Sequence, residues 1–366
     1  MRKRSGLIGG ALGLVAATAA VAVTLDKGRT SRRRAAVDFD SHEFGALPAD
    51  RTGTVAAEDG TALHYEEIGP RDAPLTVVFV HGFALQLGAF HFQRRALGEQ
   101  FGTRVRMVFF DQRSHGRSER SDPERANIDQ LGRDLASVLD VLVPRGPMVL
   151  VGHSLGGMVI MALADAHPEL FRPDDVGPAR VAAVALLATS TGKLADVTVG
   201  LPALLARLRG PLLPMLLRGA RRQANLIERG RALGTDIAWV ITRRLSFAGD
   251  DIHPATVEYL ASMIASTRIE VIADFFPALM NHDKLAALPT FEETDVLIMG
   301  GDHDLLTPPE HSEAMGAELP KAELIIVPQG GHVALMEHPA VFCEALGRLI
   351  ERALAEVGGK RRWRRR

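Results

Sequence analysis

The chain has 366 residues, with 43 Lys+Arg against 44 Asp+Glu for a formal net charge of −1, and 46% of its residues are hydrophobic. This is too apolar for a disordered chain and too aperiodic for collagen or a coiled coil, and the single cysteine, Cys343, excludes an internal disulfide and any cysteine-based zinc cluster. The near-zero sum is unevenly spread: residues 1–34 carry eight basic side chains and one acid, residues 360–366 carry six basic and no acid, and the 325 residues between them hold −14.

Ser5 to Leu25 is a run of 21 uncharged residues flanked by basic ones on both sides. A helix there spans about 31 Å, enough to cross a bilayer's hydrocarbon core. Three readings fit residues 1–34: a signal anchor or single membrane span, a cleavable signal peptide with Ala20-Val21-Ala22 as its small-x-small site, or a peripheral helix. For a span, the heavier positive charge that follows it favours a cytoplasmic body, with export after cleavage as the alternative. Residues 35–50 are polar and mixed and read as a linker.

From there strands and helices alternate. Thr52–Ala57 and Thr61–Ile68 read as an antiparallel pair around Glu58-Asp59-Gly60. Leu75–Val80, Val105–Phe110, Met148–Val151, Val181–Leu187, Asp295–Met299 and Glu323–Val327 are short apolar runs of the kind buried on both faces of a parallel sheet. Between and after these runs lie helical patterns at Phe90–Phe101, Ile128–Val143, Leu155–Ala166, Pro309–Leu319 and Pro339–Val357. The expected fold class is therefore α/β: a mostly parallel, eight-stranded sheet with helices on both sides, its core divided between residues 51–192 and 281–357. Residues 193–280 break the rhythm. They are Leu-, Arg- and Ala-rich, punctuated by prolines, and read as a helical cap inserted over the sheet's C-terminal edge. Residues 358–366 form a basic tail. It is either a solvated charge run or, with Trp363, a contact for anionic headgroups; the acidic body disfavours a nucleic-acid partner. Nothing in the sequence fixes an oligomeric state.

The chemistry-bearing residues sit at strand ends. Gly152-His153-Ser154-Leu155-Gly156 fits G-x-S-x-G between a strand and a helix, the setting in which a sharp turn exposes a nucleophilic serine. A serine hydroxyl needs a base to take its proton and a carboxylate to orient that base. Gly330-Gly331-His332 follows the last strand and supplies the base. Gly301-Asp302-His303-Asp304 follows the strand before it and supplies two competing acids; Asp304 is preferred because it lies deeper in the loop, with Asp302 stabilising the loop. The order Ser…Asp…His is the one this architecture uses.

These motifs, together with His81-Gly82-Phe83 and Asp111-Gln112-Arg113-Ser114-His115-Gly116-Arg117-Ser118, resemble the α/β-hydrolase superfamily, in its serine-nucleophile, esterase- or lipase-like branch with a helical cap. The resemblance covers about residues 50–357. It departs at Ser114, where the family commonly has Gly. It implies an oxyanion hole made by the N–H groups of Phe83 and Leu155, a structural role for His81, and loop-building roles for Arg113, His115 and Arg117. The expected activity is hydrolysis of a carboxylic ester through an acyl-enzyme, with no metal or organic cofactor. C–C bond hydrolysis, lactone hydrolysis and cofactor-free perhydrolysis use the same triad and remain alternatives, as does, more remotely, a non-catalytic binding protein. The apolar cap residues, among them Leu201, Leu212, Met215, Phe275 and Phe276, and the N-terminal segment point to a lipophilic small-molecule ester as substrate.

Overall fold

In a computed structural model, which describes residues 44–45, 47–173, 178–197 and 235–363, the eight expected strands form one sheet. Its strands are β1 (Arg51–Ala56), β2 (Ala62–Ile68), β3 (Leu75–Val80), β4 (Val105–Phe110), β5 (Met148–His153), β6 (Val181–Leu187), β7 (Asp295–Gly301) and β8 (Glu323–Val327). They lie in the order β1-β2-β4-β3-β5-β6-β7-β8. β1 pairs antiparallel with β2 and β2 antiparallel with β4, while every pairing from β4 through β8 is parallel. The longer described α-helices are α1 (His91–Phe101), α2 (Ile128–Leu142), α3 (Leu155–Ala166), α4 (Thr235–Ser246), α5 (Pro254–Ser266), α6 (Ile269–Met280), α7 (Pro309–Glu318) and α8 (Pro339–Trp363), and Ala334–Glu337 forms one further short helical turn.

Strand alternation divides the core between the sheet's two faces. On β3, every residue of which is buried, Val78 and Val80 pack with Leu131 and Leu135 of α2 and Met158 of α3. Val77 and Phe79 pack on the other face with Leu97 of α1 and Leu346 and Leu349 of α8. Helix α2 starts where it does because the Asn127 side chain accepts from Gln130 N at 2.8 Å, satisfying one of the helix's free amides.

Three boundaries differ from expectation by two residues or more. β5 and β7 each run two residues further than their apolar cores, because Gly152, His153, Gly300 and Gly301 stay in register with β6 and β8. Helix α8 continues six residues past Val357, through Gly358 and Gly359 to Trp363.

Of the cap stretch, residues 194–196 form a single 3₁₀ turn and α4, α5 and α6 are helical. Chain entry and exit lie side by side: Gly192 forms an antiparallel bridge with Asp283, and Lys284 N donates to Thr191 O at 2.7 Å. Leu201, Leu212 and Met215 lie outside the described residues, as does the Ser5–Leu25 segment. Among the described residues no helix is long and apolar enough to cross a membrane. In the stretch read as a linker, Phe44 packs against His91 and Tyr259, with ring centroids 5.0 and 5.1 Å away, and Pro48 O accepts from Arg94 at 2.8 Å.

Candidate active site

β5 ends in a tight elbow. Ser154 takes φ 52° and ψ −117°, a conformation that costs a non-glycine residue roughly 1–3 kcal/mol and persists only where surrounding structure enforces it. The enforcing contacts are backbone ones. A Cβ on Gly156 would lie 1.9 Å from the Val80 carbonyl oxygen, and one on Gly152 would lie 2.6 Å from the Gly156 carbonyl, so both flanking positions accept only glycine. Ser154 N donates to Leu187 O at 2.9 Å and Thr189 Oγ1 donates to Ser154 O at 2.7 Å, fixing the elbow to β6 and the loop that follows it.

The loops after β7 and β8 bring the other two predicted residues to this serine. His332 Nε2 lies 3.0 Å from Ser154 Oγ, and His332 Nδ1 lies 2.9 and 3.1 Å from the two carboxylate oxygens of Asp304. Asp304 is in turn held by Leu306 N at 2.8 Å, Thr307 N at 2.9 Å and Thr307 Oγ1 at 2.7 Å. Burial pushes its carboxyl upward, but the charge of His332 and the hydrogen bonds from His332 and Thr307 outweigh this and hold it below the ordinary aspartate range. Asp302, the competing acid, bonds instead to His303 Nδ1 at 2.6 Å and accepts from Gly330 N at 3.3 Å, at the surface. The structure therefore brings Ser154, His332 and Asp304 together and leaves Asp302 out.

Leu155 is the first residue of α3, so its N–H has no acceptor within the helix. Phe83 and Ser154 line one cavity. His81 is fully buried, with Nδ1 2.8 Å from Gly82 O and Nε2 accepting from Gln112 N at 3.0 Å. This uses both ring nitrogens of one neutral tautomer, and burial pulls the ring's pKa down to about 4. The side chain thus ties the Gly82-Phe83 loop to the loop after β4. Arg113, also fully buried, is paired with Asp134 at 2.5 Å and Asp59 at 3.0 Å, a loop-building arrangement.

Ser114, where glycine is usual, has φ 66°. Its hydroxyl accepts from Ser121 N at 3.1 Å, which offsets part of the strain of the left-handed backbone. Ser114→Gly is expected to change stability by less than about 1 kcal/mol, since relief of strain is balanced by the lost bond and the greater freedom of the unfolded chain. Ser114→Ala keeps the strain and loses the bond, at about 1 kcal/mol. Urea unfolding of the two variants checks this, and a larger loss for glycine than for alanine would contradict it.

The cavity above Ser154 has a volume of about 320 Å³. Its walls come from the Gly82 loop and from Leu194, Leu260, Ile264, Phe276, Leu279 and Met280 of the cap stretch, and its polar side chains are Ser154, His153, His332, Ser246 and Thr307. No Lys, Arg, Asp or Glu lines it among the described residues. The two neighbouring phenylalanines separate: Phe276 faces the cavity, and Phe275 is buried against His115 with ring centroids 5.5 Å apart.

Sequence reasoning treated His153 as the variable position of the pentapeptide, and it did not single out Glu337. His153 is fully buried, and its Nε2 lies 3.0 Å from His332 O, which as a carbonyl can only accept. Glu337 Oε2 accepts from Gly331 N, next to His332, at 2.8 Å. The motif's strand–helix setting marked His153 as near the serine, but no spacing rule announced either contact.

This fold and site define an α/β hydrolase. The chain belongs to the alpha/beta hydrolase family, whose model matches residues 77–345. It is 36% identical over 117 residues to a non-heme chloroperoxidase of Streptomyces lividans, covering 32% of this chain and 40% of that protein. It is 35% identical over 118 residues to a bifunctional esterase/perhydrolase of Acinetobacter calcoaceticus, again covering 32% of this chain and 40% of the relative. The matched stretches thus span less than half the length of these relatives. Among solved structures, a thermophilic esterase from Thermogutta terrifontis superposes with a TM-score of 0.63 at 23% identity, covering 83% of this chain and 99% of its own.

Proposed function

We propose that the protein is a serine hydrolase that cleaves an uncharged, lipophilic carboxylic ester through an acyl-enzyme. The observation that carries this reading is the continuous hydrogen-bonded line from Ser154 Oγ through His332 to Asp304, opening on an apolar cavity. His332 takes the proton of Ser154 as the hydroxyl attacks the ester carbonyl. The N–H groups of Phe83 and Leu155 receive the oxyanion, where each fixed donor is worth about 3 kcal/mol in comparable acyl transfers. His332 then protonates the departing alcohol, and a water activated by the same imidazole releases the acid. Asp304 holds the imidazole tautomer and stabilises its charged form.

The lipophilic preference rests on the cavity's walls. A substrate carboxylate would enter without a cationic partner among the described lining residues, at a heavy desolvation cost, while each buried methylene gains about 0.8 kcal/mol. Two added methylenes then predict roughly tenfold higher kcat/KM for p-nitrophenyl butyrate than for the acetate. An ester of the same length ending in a free carboxylate is expected to lose at least tenfold relative to the butyrate. An acyl-length and charge series measures both. Preference for acetate, or indifference to the carboxylate, would sink the substrate assignment, and failure of a fluorophosphonate probe to label the folded protein would sink the nucleophile. The reading extends to location: the flanked Ser5–Leu25 segment tethers or exports the body, which protease protection in intact cells resolves.

A further inference from the structure

The backbone around His332 is held at three consecutive residues. Gly331 N–H donates to Glu337 Oε2 at 2.8 Å, His332 C=O accepts from His153 Nε2–H at 3.0 Å, and Val333 N–H donates to Ser246 O at 3.0 Å. The first and last of these contacts converge on one place. Ser246 ends α4 and lines the cavity, and the loop it opens passes so close to the His332 loop that a Cβ on Gly331 would lie 2.6 Å from Ser246 O and 2.7 Å from Phe247 Cα. Glu337 spans both loops. Its carboxylate also accepts from Ala248 N at 3.1 Å and from Gly249 N at 2.5 Å. Arg243 of α4 secures the same turn from the other side, donating to the carbonyls of Phe247 and Gly249.

We infer that Glu337 is a positioning residue: by joining the His332 loop to the 247–249 turn between α4 and α5, it makes the aim of the imidazole at Ser154 depend on how those helices are seated over the cavity. The inference rests on the serine-hydrolase reading and adds a coupling to it. The chemistry of the contact demands a carboxylate. Three backbone N–H groups on two separate loops converge on Glu337, so the side chain must present acceptors at both ends, and a glutamine would set its own N–H groups against at least one of them. Releasing one loop frees the Gly330–Gly331 peptide ahead of His332, and displacements of about 1 Å at a reacting group cost on the order of 100-fold in rate. The apolar walls supplied by Leu260 and Ile264 of α5 and by Phe276, Leu279 and Met280 of α6 lie outside both loops, so the loss falls on kcat.

The test compares Glu337→Gln, Glu337→Asp and a control, Asn127→Ala, which removes the distant α2 cap at a comparable stability cost of about 1 kcal/mol. Steady-state hydrolysis of p-nitrophenyl butyrate and hydrogen–deuterium exchange of the full chain are measured on each. Glu337→Gln is expected to lower kcat 10- to 100-fold with KM within threefold, and to speed exchange in residues 246–249 and 330–333 together. Glu337→Asp, which keeps the charge and shortens the reach, gives the same split with a smaller loss, and Asn127→Ala keeps wild-type kcat. The inference is overturned by kcat within twofold of wild type in both Glu337 variants, by an equal kcat loss in Asn127→Ala, or by exchange that rises in only one of the two loops. A wild-type protein inactive on every ester would overturn the esterase reading alone; the exchange result then still decides whether Glu337 couples the loops.

Discussion

Ser154→Ala is expected to lower kcat for ester hydrolysis by at least 10⁴-fold while leaving the fold intact. The hydroxyl is the group placed to attack, and it lies 3.0 Å from the nitrogen placed to take its proton. Removing a nucleophile that acts as one unit with its base abolishes nearly all the rate the unit provides, and what survives comes from the oxyanion donors and substrate binding. Asp304→Asn is expected to cost about 10⁴-fold as well, because an amide at that position stabilises the wrong imidazole tautomer. It also costs stability, since the carboxylate accepts from Leu306 N, Thr307 N and Thr307 Oγ1. Asp302→Asn touches only the loop's outer bonds and is expected to stay within threefold of wild type. Turnover of p-nitrophenyl butyrate, with folding checked by circular dichroism, measures all three. Collapse of activity in Asp302→Asn with Asp304→Asn still active would reverse the assignment of the acid.

The elbow and the sheet were legible in the sequence because their signals are local. Gly152 and Gly156 are required by contacts within a few residues of the serine or with the adjacent strand, and continuous apolar runs such as LTVVFV can be buried only on both faces of a sheet. The placement of β3 between β4 and β5 was not legible, because it depends on which crossover covers which face. The choice between Asp304 and Asp302 was legible only through depth in the loop; what separates them in three dimensions is that Thr307 turns back on Asp304 while His303 occupies Asp302. Phe275 and Phe276 were read as equivalent apolar surface, yet adjacent helical positions point about 100° apart, so one fills the core and the other faces the cavity. Glu337 was invisible for a different reason. Its partners at Ala248 and Gly249 lie 89 and 88 residues earlier and are backbone amides, which carry no residue-type signature.

The fold is expected to unfold cooperatively as the pH falls from 6.5 toward 4, well before most surface carboxylates protonate. His81, His115 and His153 are fully buried, and burial pulls their pKa values down to about 4, about 4 and about 3; burial likewise takes His282 down to about 4. In the unfolded chain each returns to the ordinary histidine value of 6.5. Between those limits the unfolded chain carries protons that the native state refuses, so stability is complete above pH 6.5 and declines as the pH drops toward the folded values. Each histidine contributes a slope of about 1.4 kcal/mol per pH unit, and four give up to about 5. Asp111 and Asp134, pushed upward by burial, act in the opposite sense and reduce that slope. Over the roughly 2.5 units between the unfolded and folded values the net loss is several kcal/mol, comparable with the lower part of the usual domain stability of about 5–15 kcal/mol. Urea midpoints at pH 7, 6 and 5 measure the slope. His115→Gln, which retains a donor for the Arg113 carbonyl and has nothing to titrate, is expected to flatten it by about 1.4 kcal/mol per unit. Equal midpoints at pH 7 and pH 5, or an unchanged slope in His115→Gln, would show that these buried rings do not govern the acid limit.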